Sequence, residues 1–232
     1  SDRRRGLTHT LALMGLVFAG IITFRVMMPV GETALAFSDT FLRDRFGDVL
    51  KLFSYLILGG VFVYAKHFLR AIGLFSGEFY ALGLFALLGV MIMISAGSML
   101  TVYLGLELLA LSSYALVALN RDSAAGSEAG MKFFILGSLA SGILLYGVSL
   151  VYGATGSIQI GEISTALTGG VGGNPMLAFG LAFMVVGIAF KLGAVPFHMW
   201  LPDVYEGAPA PVTLLIASLP KLGYLALAIR LL

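Results

Sequence analysis

The sequence predicts an all-α, polytopic membrane protein with about seven transmembrane helices. Of its 232 residues, 59% are hydrophobic and only 11% are charged, whereas soluble domains are near half apolar and about a quarter charged. The mean hydropathy is +1.00, and the 30 glycines fit the same class because glycine is commoner in transmembrane helices than in soluble ones. No run alternates polar and apolar residues, so the spans are expected to be helices and a β-barrel is disfavoured.

Seven apolar windows reach or approach the length of a membrane span, which is about 20 residues. They are 7–28, 48–66, 79–98, 100–119, 130–153, 176–200 and 210–231. The polar loop 31–48 is expected to form a surface hairpin or an interfacial turn. The glycine-rich stretch 169–175 lacks the Lys-Ser/Thr of a phosphate loop, and we interpret it as a flexible connector.

The distribution of basic residues predicts the orientation. Loops on the N-terminal side carry six basic residues, and loops on the opposite side carry four. The six are Arg3, Arg4, Arg5, Lys66, Arg70 and Arg121, and the four are Arg25, Arg43, Arg45 and Lys51. The positive-inside rule therefore places the N-terminal side in the cytoplasm and the loop 169–175 on the opposite face.

Composition also excludes several kinds of function. The net charge of +2 and the absence of a basic face argue against a nucleic-acid partner. With no cysteine, the chain has no disulfide, thiolate-ligated metal or thiol nucleophile, and no metal site is predicted. The sequence starts at Ser1 without a methionine and stops within an apolar run, so we expect it to be an internal section of a longer protein.

Three ionisable residues fall inside predicted spans, where each costs about 2.5–3.5 kcal/mol on insertion scales. They are Glu107, Lys191 and Lys221. One acid and two bases on three helices predict mutual pairing rather than exposure to lipid. A static buried ion pair is the structural alternative, but it uses only one of the lysines and leaves the second unexplained.

Proline and glycine predict breaks beside both lysines. Pro196 removes a backbone donor, and Gly193 loosens the same turn, so the sixth span should be interrupted near Leu192–Pro196. A short second segment holding His198 and Trp200 should follow. The carbonyl groups freed around Leu192 then need protein or water partners, because lipid supplies none. Pro220, one residue before Lys221, predicts a second break.

Two further candidates are less specific. Lys132 begins its span, so it either extends to the interface or has a buried role. His198 follows Pro196 by two residues and is interpreted either as a proton relay or as a hydrogen-bonded structural residue.

The stretch from Lys191 to Val212 resembles a signature of the antiporter-like subunits of respiratory complex I, K-x-x-x-x-P-F-H-x-W-x-P-D. Two more segments are similar to that family, namely 105–109 with its glutamate and 131–137 on the following helix. The resemblance covers 79–232 well, whereas 1–78 matches in layout only. The family builds its channel from two inverted five-helix repeats. The resemblance thus implies that 79–232 is the first repeat, that 1–78 holds two leading helices with an interfacial loop, and that the second repeat is absent.

Carried over by position, the resemblance assigns Glu107 and Lys191 to an interacting acid–base pair. Lys221 matches a lysine that leads toward the centre of the subunit, and Lys132 matches a lysine with a supporting role. The implied function is proton conduction without redox chemistry in this chain. NADH, FMN, iron–sulfur clusters and quinone would belong to partner subunits, and no cofactor would be bound here.

The implied partners are the other membrane-arm subunits, namely the antiporter-like subunits M and L and small membrane subunits, within an energy-transducing lipid bilayer. A bacterial inner membrane is the first expectation, with the mitochondrial inner membrane and the thylakoid as alternatives. Two other functions stay open at this point. One is a subunit of a cation/proton antiporter, which would transport sodium without NADH. The other is a passive scaffold, in which neutral substitutions of Glu107 and Lys191 would leave pumping intact.

Overall fold

The computed structural model describes residues 2–168 and 173–231, which form a bundle of helices with one small hairpin. The helices are α1 (Asp2–Arg25), α2 (Arg45–Ala71), α3 (Gly77–Ile94), α4 (Met99–Val117), α5 (Ala124–Thr155), α6 (Ile160–Thr168), α7 (Pro175–Leu192), α8 (Leu201–Gly207) and α9 (Ala210–Leu231). The strands are β1 (Thr33–Ala36) and β2 (Phe41–Asp44). Gly169 to Gly172, most of the predicted flexible connector, lie outside the described residues.

The predicted helical class and the predicted number of spans are confirmed. Seven described helices are long and apolar enough to cross a membrane, and they correspond in order to the seven predicted windows. They run over 6–25, 45–71, 77–94, 99–117, 124–155, 175–192 and 210–230. α6 was not predicted, and the hairpin lies in the loop where a hairpin or a turn was expected.

Local capping sets several helix ends. Ser98 accepts a hydrogen bond from the Thr101 N–H at the start of α4, and Asn174 accepts one from the Met176 N–H at the start of α7. Such side chains satisfy donors that have no partner within a helix. Gly156 ends α5 in the left-handed region at φ 75°, which a glycine adopts without steric cost.

Glycines allow the closest helix crossings. A Cβ on Gly147 of α5 would lie 2.8 Å from the Gly180 carbonyl oxygen of α7, and a Cβ on Gly180 would lie 3.0 Å from the Gly147 carbonyl oxygen. A similar crossing joins α3 to α4, where a Cβ on Gly89 would lie 2.6 Å from the Gly105 carbonyl oxygen. Backbones that approach this closely gain dispersion contacts, which drive helix association inside lipid. These close crossings fix α4, which carries Glu107, against α3, and α7, which carries Lys191, against α5.

The sixth span is interrupted as predicted, but over a longer stretch. α7 ends at Leu192, and Gly193 caps it at φ 69°. The chain stays non-helical through Trp200, and α8 begins only at Leu201. The prediction that the second segment holds His198 and Trp200 was therefore wrong. The physical reason is that Pro202 fits the first turn of a helix, so the new helix starts beside it.

The predicted break at Pro220 was also wrong, because α9 runs through Pro220 without interruption. A proline removes one backbone hydrogen bond, and a transmembrane helix tolerates this loss when neighbouring helices support it. The flanking Ile216 and Leu219 are both buried and supply that support. The division at residue 78 stays a prediction, since one hydrophobic core extends from Ala12 to Leu227.

Candidate functional site: a chain of polar groups at the helix break

Two of the three charged residues of the predicted spans lie deep inside their helices, α4 and α9. Glu107 is eight residues from the start of α4, and Lys221 is eleven residues from the start of α9. At 1.5 Å per residue these positions are about 12 Å and about 16 Å inside their helices. Lys191, at the end of α7, contacts Gly137, which lies about 20 Å along the long helix α5. All three charges therefore lie at membrane depth.

Lys191 is buried against α4 and α5, with 6% of the residue exposed. Its Nζ donates to the Tyr114 hydroxyl at 3.2 Å and to the Gly137 carbonyl oxygen at 3.4 Å. Both acceptors are uncharged. The ammonium group also lies 5.8 Å from the centre of the Tyr114 ring, within range of a cation–π attraction.

Gly137 is required by the position of Tyr114. A Cβ at residue 137 would lie 2.0 Å from the Tyr114 hydroxyl oxygen and 2.7 Å from its Cζ. Because non-bonded heavy atoms do not approach this closely, any larger residue at position 137 would displace the phenol ring of Tyr114. Gly137 thus contributes both an acceptor for Lys191 and the space for the second acceptor.

Glu107 does not pair directly with Lys191. Among the ion pairs of the described residues, none includes Glu107, and its buried Oε1 has no hydrogen-bond partner. Tyr114 lies seven residues further along α4, a spacing that places it on the same face of the helix as Glu107. The expected acid–base pair is therefore not a direct contact, and Tyr114 is the group on the Glu107 face that contacts Lys191.

Lys221 binds the carbonyl group that the helix break exposes. Its Nζ donates to the Leu192 carbonyl oxygen at 2.8 Å. In a continuous helix that carbonyl would accept from residue 196, but residue 196 is a proline without an N–H. The protein partner that the sequence requires at Leu192 is thus Lys221, which links α9 to the end of α7 next to Lys191.

A small cavity connects the two lysines. It has a volume of about 20 Å³, enough for about one water molecule. Polar residues in its lining are Lys191, Lys221, Ser113, Tyr114, Tyr205 and Tyr224. Burial raises the pKa of the Tyr205 hydroxyl, so that group stays protonated near neutral pH and can donate to a water in the cavity.

Lys132 and His198 are not brought into this group. Lys132 Nζ lies 2.7 Å from Asp203 Oδ2 and 2.9 Å from Glu128 Oε1, on a partly exposed surface. It ties the start of α5 to α8. His198 is exposed in the segment between α7 and α8, where its backbone carbonyl accepts from Leu201 N–H.

Sequence reasoning assigned no role in the site to three residues that shape it: Tyr114, Gly137 and Trp200. The Trp200 indole N–H donates to the Phe190 carbonyl oxygen at 3.0 Å, and its ring stacks on Phe133 at 4.6 Å between centroids. This anchors the irregular segment beside Lys191. The helical spacing between Glu107 and Tyr114 was the one available signal, since it places a polar group on the face of the buried acid.

The fold and this group of charges inside the spans define a membrane protein of the antiporter-like class. A family model for the transmembrane part of NADH:quinone oxidoreductase and Mrp antiporter proteins matches residues 96–232. The chain belongs to this family, which confirms the resemblance drawn from the sequence.

Particular relatives refine this placement. The chain is 56% identical over 230 residues to NADH-quinone oxidoreductase subunit N of Thioalkalivibrio sulfidiphilus, covering 99% of this chain and 48% of the relative. It is 52% identical to the protein of the same name in Thiobacillus denitrificans, covering 100% of this chain and 47% of that one. The chain therefore spans about half the length of the curated relatives it matches.

Solved structures show the same fold. A chain of respiratory complex I from Thermus thermophilus with bound aureothin superposes with a TM-score of 0.81 at 32% identity, over 97% of this chain and 48% of that chain. A chain of the Mrp complex from Dietzia superposes with a TM-score of 0.82 over 98% of this chain and 44% of that chain. Its identity is 23%, so that likeness concerns the fold alone.

Proposed function

We propose that this chain is part of a membrane-arm subunit of NADH:quinone oxidoreductase that conducts protons across a bacterial inner membrane. NADH oxidation and quinone reduction take place in other subunits, which hold FMN and iron–sulfur clusters. The neighbouring partners are the antiporter-like subunits M and L and small membrane subunits. The names of the relatives and the match to residues 96–232 support this assignment.

The observation that carries the proposal is the position of the two lysines at one helix break. Each binds only uncharged oxygen atoms among the described residues, Lys191 those of Tyr114 and Gly137 and Lys221 that of Leu192. A lysine held by neutral acceptors can lose its proton without breaking an ion pair. The water-sized cavity between them gives that proton a path of two short transfers.

The proposed conduction step moves one proton from Lys191 to Lys221. The Lys191 ammonium releases a proton to the water in the cavity, the water passes a proton to neutral Lys221, and Lys191 is left neutral. Glu107, whose Oε1 is buried without a hydrogen-bond partner among the described residues, supplies the negative charge that favours reprotonation of Lys191. Lys132, with its own carboxylate partners, supports the position of α8, and the exposed His198 provides a proton exchange site at the surface.

The experiment compares proton uptake into vesicles that contain the full complex during NADH oxidation. Lys191→Ala should lower proton uptake per NADH oxidised, with assembly of the complex verified. Lys66→Ala is the control, because Lys66 lies on α2, which carries none of the residues that bind at the helix break. Normal uptake by an assembled Lys191→Ala complex would contradict the proposal and favour a passive scaffold. Transport that requires sodium but not NADH would favour a cation/proton antiporter.

A further inference from the structure

We infer that the Tyr114 hydroxyl carries protons between Lys191 and Glu107, because these two residues do not contact each other directly. The inference rests on the proposed function, since it assigns a residue to the same pathway. It adds a neutral group to the three charged ones and changes the order of transfer: the proton reaches Lys191 from Glu107 through Tyr114.

The first support is the placement of Tyr114. It is buried, with 6% of the residue exposed, and its hydroxyl accepts the hydrogen bond from Lys191 at 3.2 Å. Long side chains on a helix lean toward its N-terminus. Tyr114 and Glu107 lean the same way, so the two residues stay about two turns apart, roughly 10 Å, along one face of α4.

The second support is the unmatched bonding capacity of the two groups. The Tyr114 hydroxyl accepts from Lys191, but its own proton is donated to no other group in the part of the chain that the structure describes. Glu107 Oε1 is buried and lacks a donor. A buried acceptor without a partner is costly, so a free donor on the same face of α4 is the natural group to satisfy it. Because no hydrogen bond joins the two groups among the described residues, one intervening water completes the contact.

The transfer balances as a proton relay through one water and one hydroxyl. When Glu107 is protonated and Lys191 is neutral, the Glu107 O–H bond breaks, its proton joins the intervening water, and that water gives one of its own protons to the Tyr114 oxygen. The original Tyr114 proton leaves that oxygen for Lys191 Nζ. Glu107 ends as a carboxylate, Lys191 ends as an ammonium, and Tyr114 is neutral before and after.

The third support is the space kept for this hydroxyl by Gly137. A Cβ there would lie 2.0 Å from the Tyr114 oxygen, although Gly142 of the same helix has nothing within 4 Å of its own Cβ position. The two glycines therefore form a matched pair. Gly137→Ala displaces the hydroxyl while retaining it chemically, and Gly142→Ala makes the same change in helix propensity in open space.

Tyr114→Phe in the full complex is the primary test, with proton uptake per NADH oxidised as the readout. Proton uptake should fall to the level of Lys191→Ala, because the carboxylate can no longer resupply Lys191. Tyr80→Phe is the control, since Tyr80 is fully buried and its hydroxyl has no partner among the described residues. It removes an equivalent buried hydroxyl outside the site and should leave uptake unchanged.

A spectroscopic readout separates a relay from a packing role. Infrared difference spectra of the complex during turnover should contain a carboxyl band that Glu107→Gln removes. The same band should disappear in Tyr114→Phe, although Glu107 is still present, because the carboxyl no longer exchanges its proton. Persistence of the band together with normal proton uptake would overturn the inference.

Two further outcomes keep the inference and the proposed function distinct. Normal uptake in Lys191→Ala contradicts the proposed function itself, whereas a defect in Lys191→Ala with normal uptake in Tyr114→Phe contradicts only the relay through Tyr114. If the Tyr114→Phe complex does not assemble, the two glycine variants test the inference instead. Gly137→Ala should then be defective and Gly142→Ala normal, and equal behaviour of the two variants overturns the inference.

Discussion

Two of the groups of charged residues in this bundle are bonded in opposite ways. The first, here called the paired cluster, comprises Arg43, Asp44, Asp48, Lys51 and Arg230, where α2 begins and α9 ends. Each of its members is within ion-pair distance of an opposite charge: Arg230–Asp44 at 3.0 Å, Arg43–Asp48 at 3.3 Å and Lys51–Asp48 at 3.8 Å. The second, here called the relay cluster, comprises Glu107, Lys191 and Lys221, and among the described residues it contains no ion pair.

The difference separates a structural use of charge from a chemical one. Breaking a buried ion pair leaves an uncompensated charge, so pairing opposes the loss of charge in the paired cluster. Two of its members are arginines, which do not lose their proton in proteins. The relay cluster contains only lysine and glutamate side chains, which can change their charge, and its cations bind neutral oxygens. Under the proposed function, the absence of ion pairs is the feature that distinguishes the groups expected to transfer protons.

The largest expected effect on stability comes from Asp48→Asn in the paired cluster. Asp48 is buried, contacts both Arg43 and Lys51, and accepts a hydrogen bond from the Met28 N–H. Neutralising it should lower the free energy of unfolding by about 3 kcal/mol, measured for the full-length subunit by detergent titration in mixed micelles. Proton uptake per assembled complex should stay normal. A defect in proton uptake at unchanged stability would place Asp48 in the proton pathway and contradict the distinction between the paired cluster and the relay cluster.

A smaller loss is expected from Arg230→Lys, which keeps the charge. Arg230 donates to both Asp44 oxygens at 3.2 Å and 3.0 Å, and its Nε donates to the Ile94 carbonyl oxygen at 2.9 Å. A lysine cannot reproduce this planar fork, so the free energy of unfolding should fall by about 2 kcal/mol. The same detergent titration measures the change. An unchanged titration curve would show that the net charge alone, and not the geometry, holds α9 to α2.

Little change in stability is expected from Glu107→Gln. Glu107 has no ion pair to lose among the described residues, and the substitution removes a partly buried ionisable group while keeping its shape. The free energy of unfolding should stay within about 1 kcal/mol of the original, while proton uptake during NADH oxidation falls. The reverse pattern, a large loss of stability with normal uptake, would assign Glu107 to a structural role.

The smallest effect is expected from Lys132→Gln. The ion pairs of Lys132 with Glu128 and Asp203 are about half exposed, and exposed pairs contribute less than about 1 kcal/mol. Both the unfolding titration and the proton uptake should therefore change little, with Arg121→Gln, another exposed ion-pair partner, as the matched control. A strong defect in uptake would extend the relay cluster to this surface.

The sequence was sufficient for the features set by local rules. Hydropathy located the seven spans, the cost of buried charge singled out the relay cluster, and Pro196 predicted the free carbonyl that Lys221 binds. Contacts between distant segments could not be predicted from the sequence. The bond from Lys191 to Tyr114 joins residues 77 positions apart and the pair of Lys132 with Asp203 joins residues 71 positions apart, and helix packing decides such contacts. Pro220 shows the same limit, because packing around it overrode a local signal for a break.

The most direct test of the central claim is proton uptake into vesicles by the complex carrying Lys221→Arg, compared with Lys221→Ala. Arginine keeps the positive charge and can donate to the Leu192 carbonyl oxygen, but it does not release its proton at accessible pH. If the relay cluster works because its charges are removable, both variants should show impaired uptake per NADH oxidised, with assembly verified for each. Normal uptake by a fully assembled Lys221→Arg complex, with only Lys221→Ala defective, would contradict the account and assign Lys221 to a static structural role.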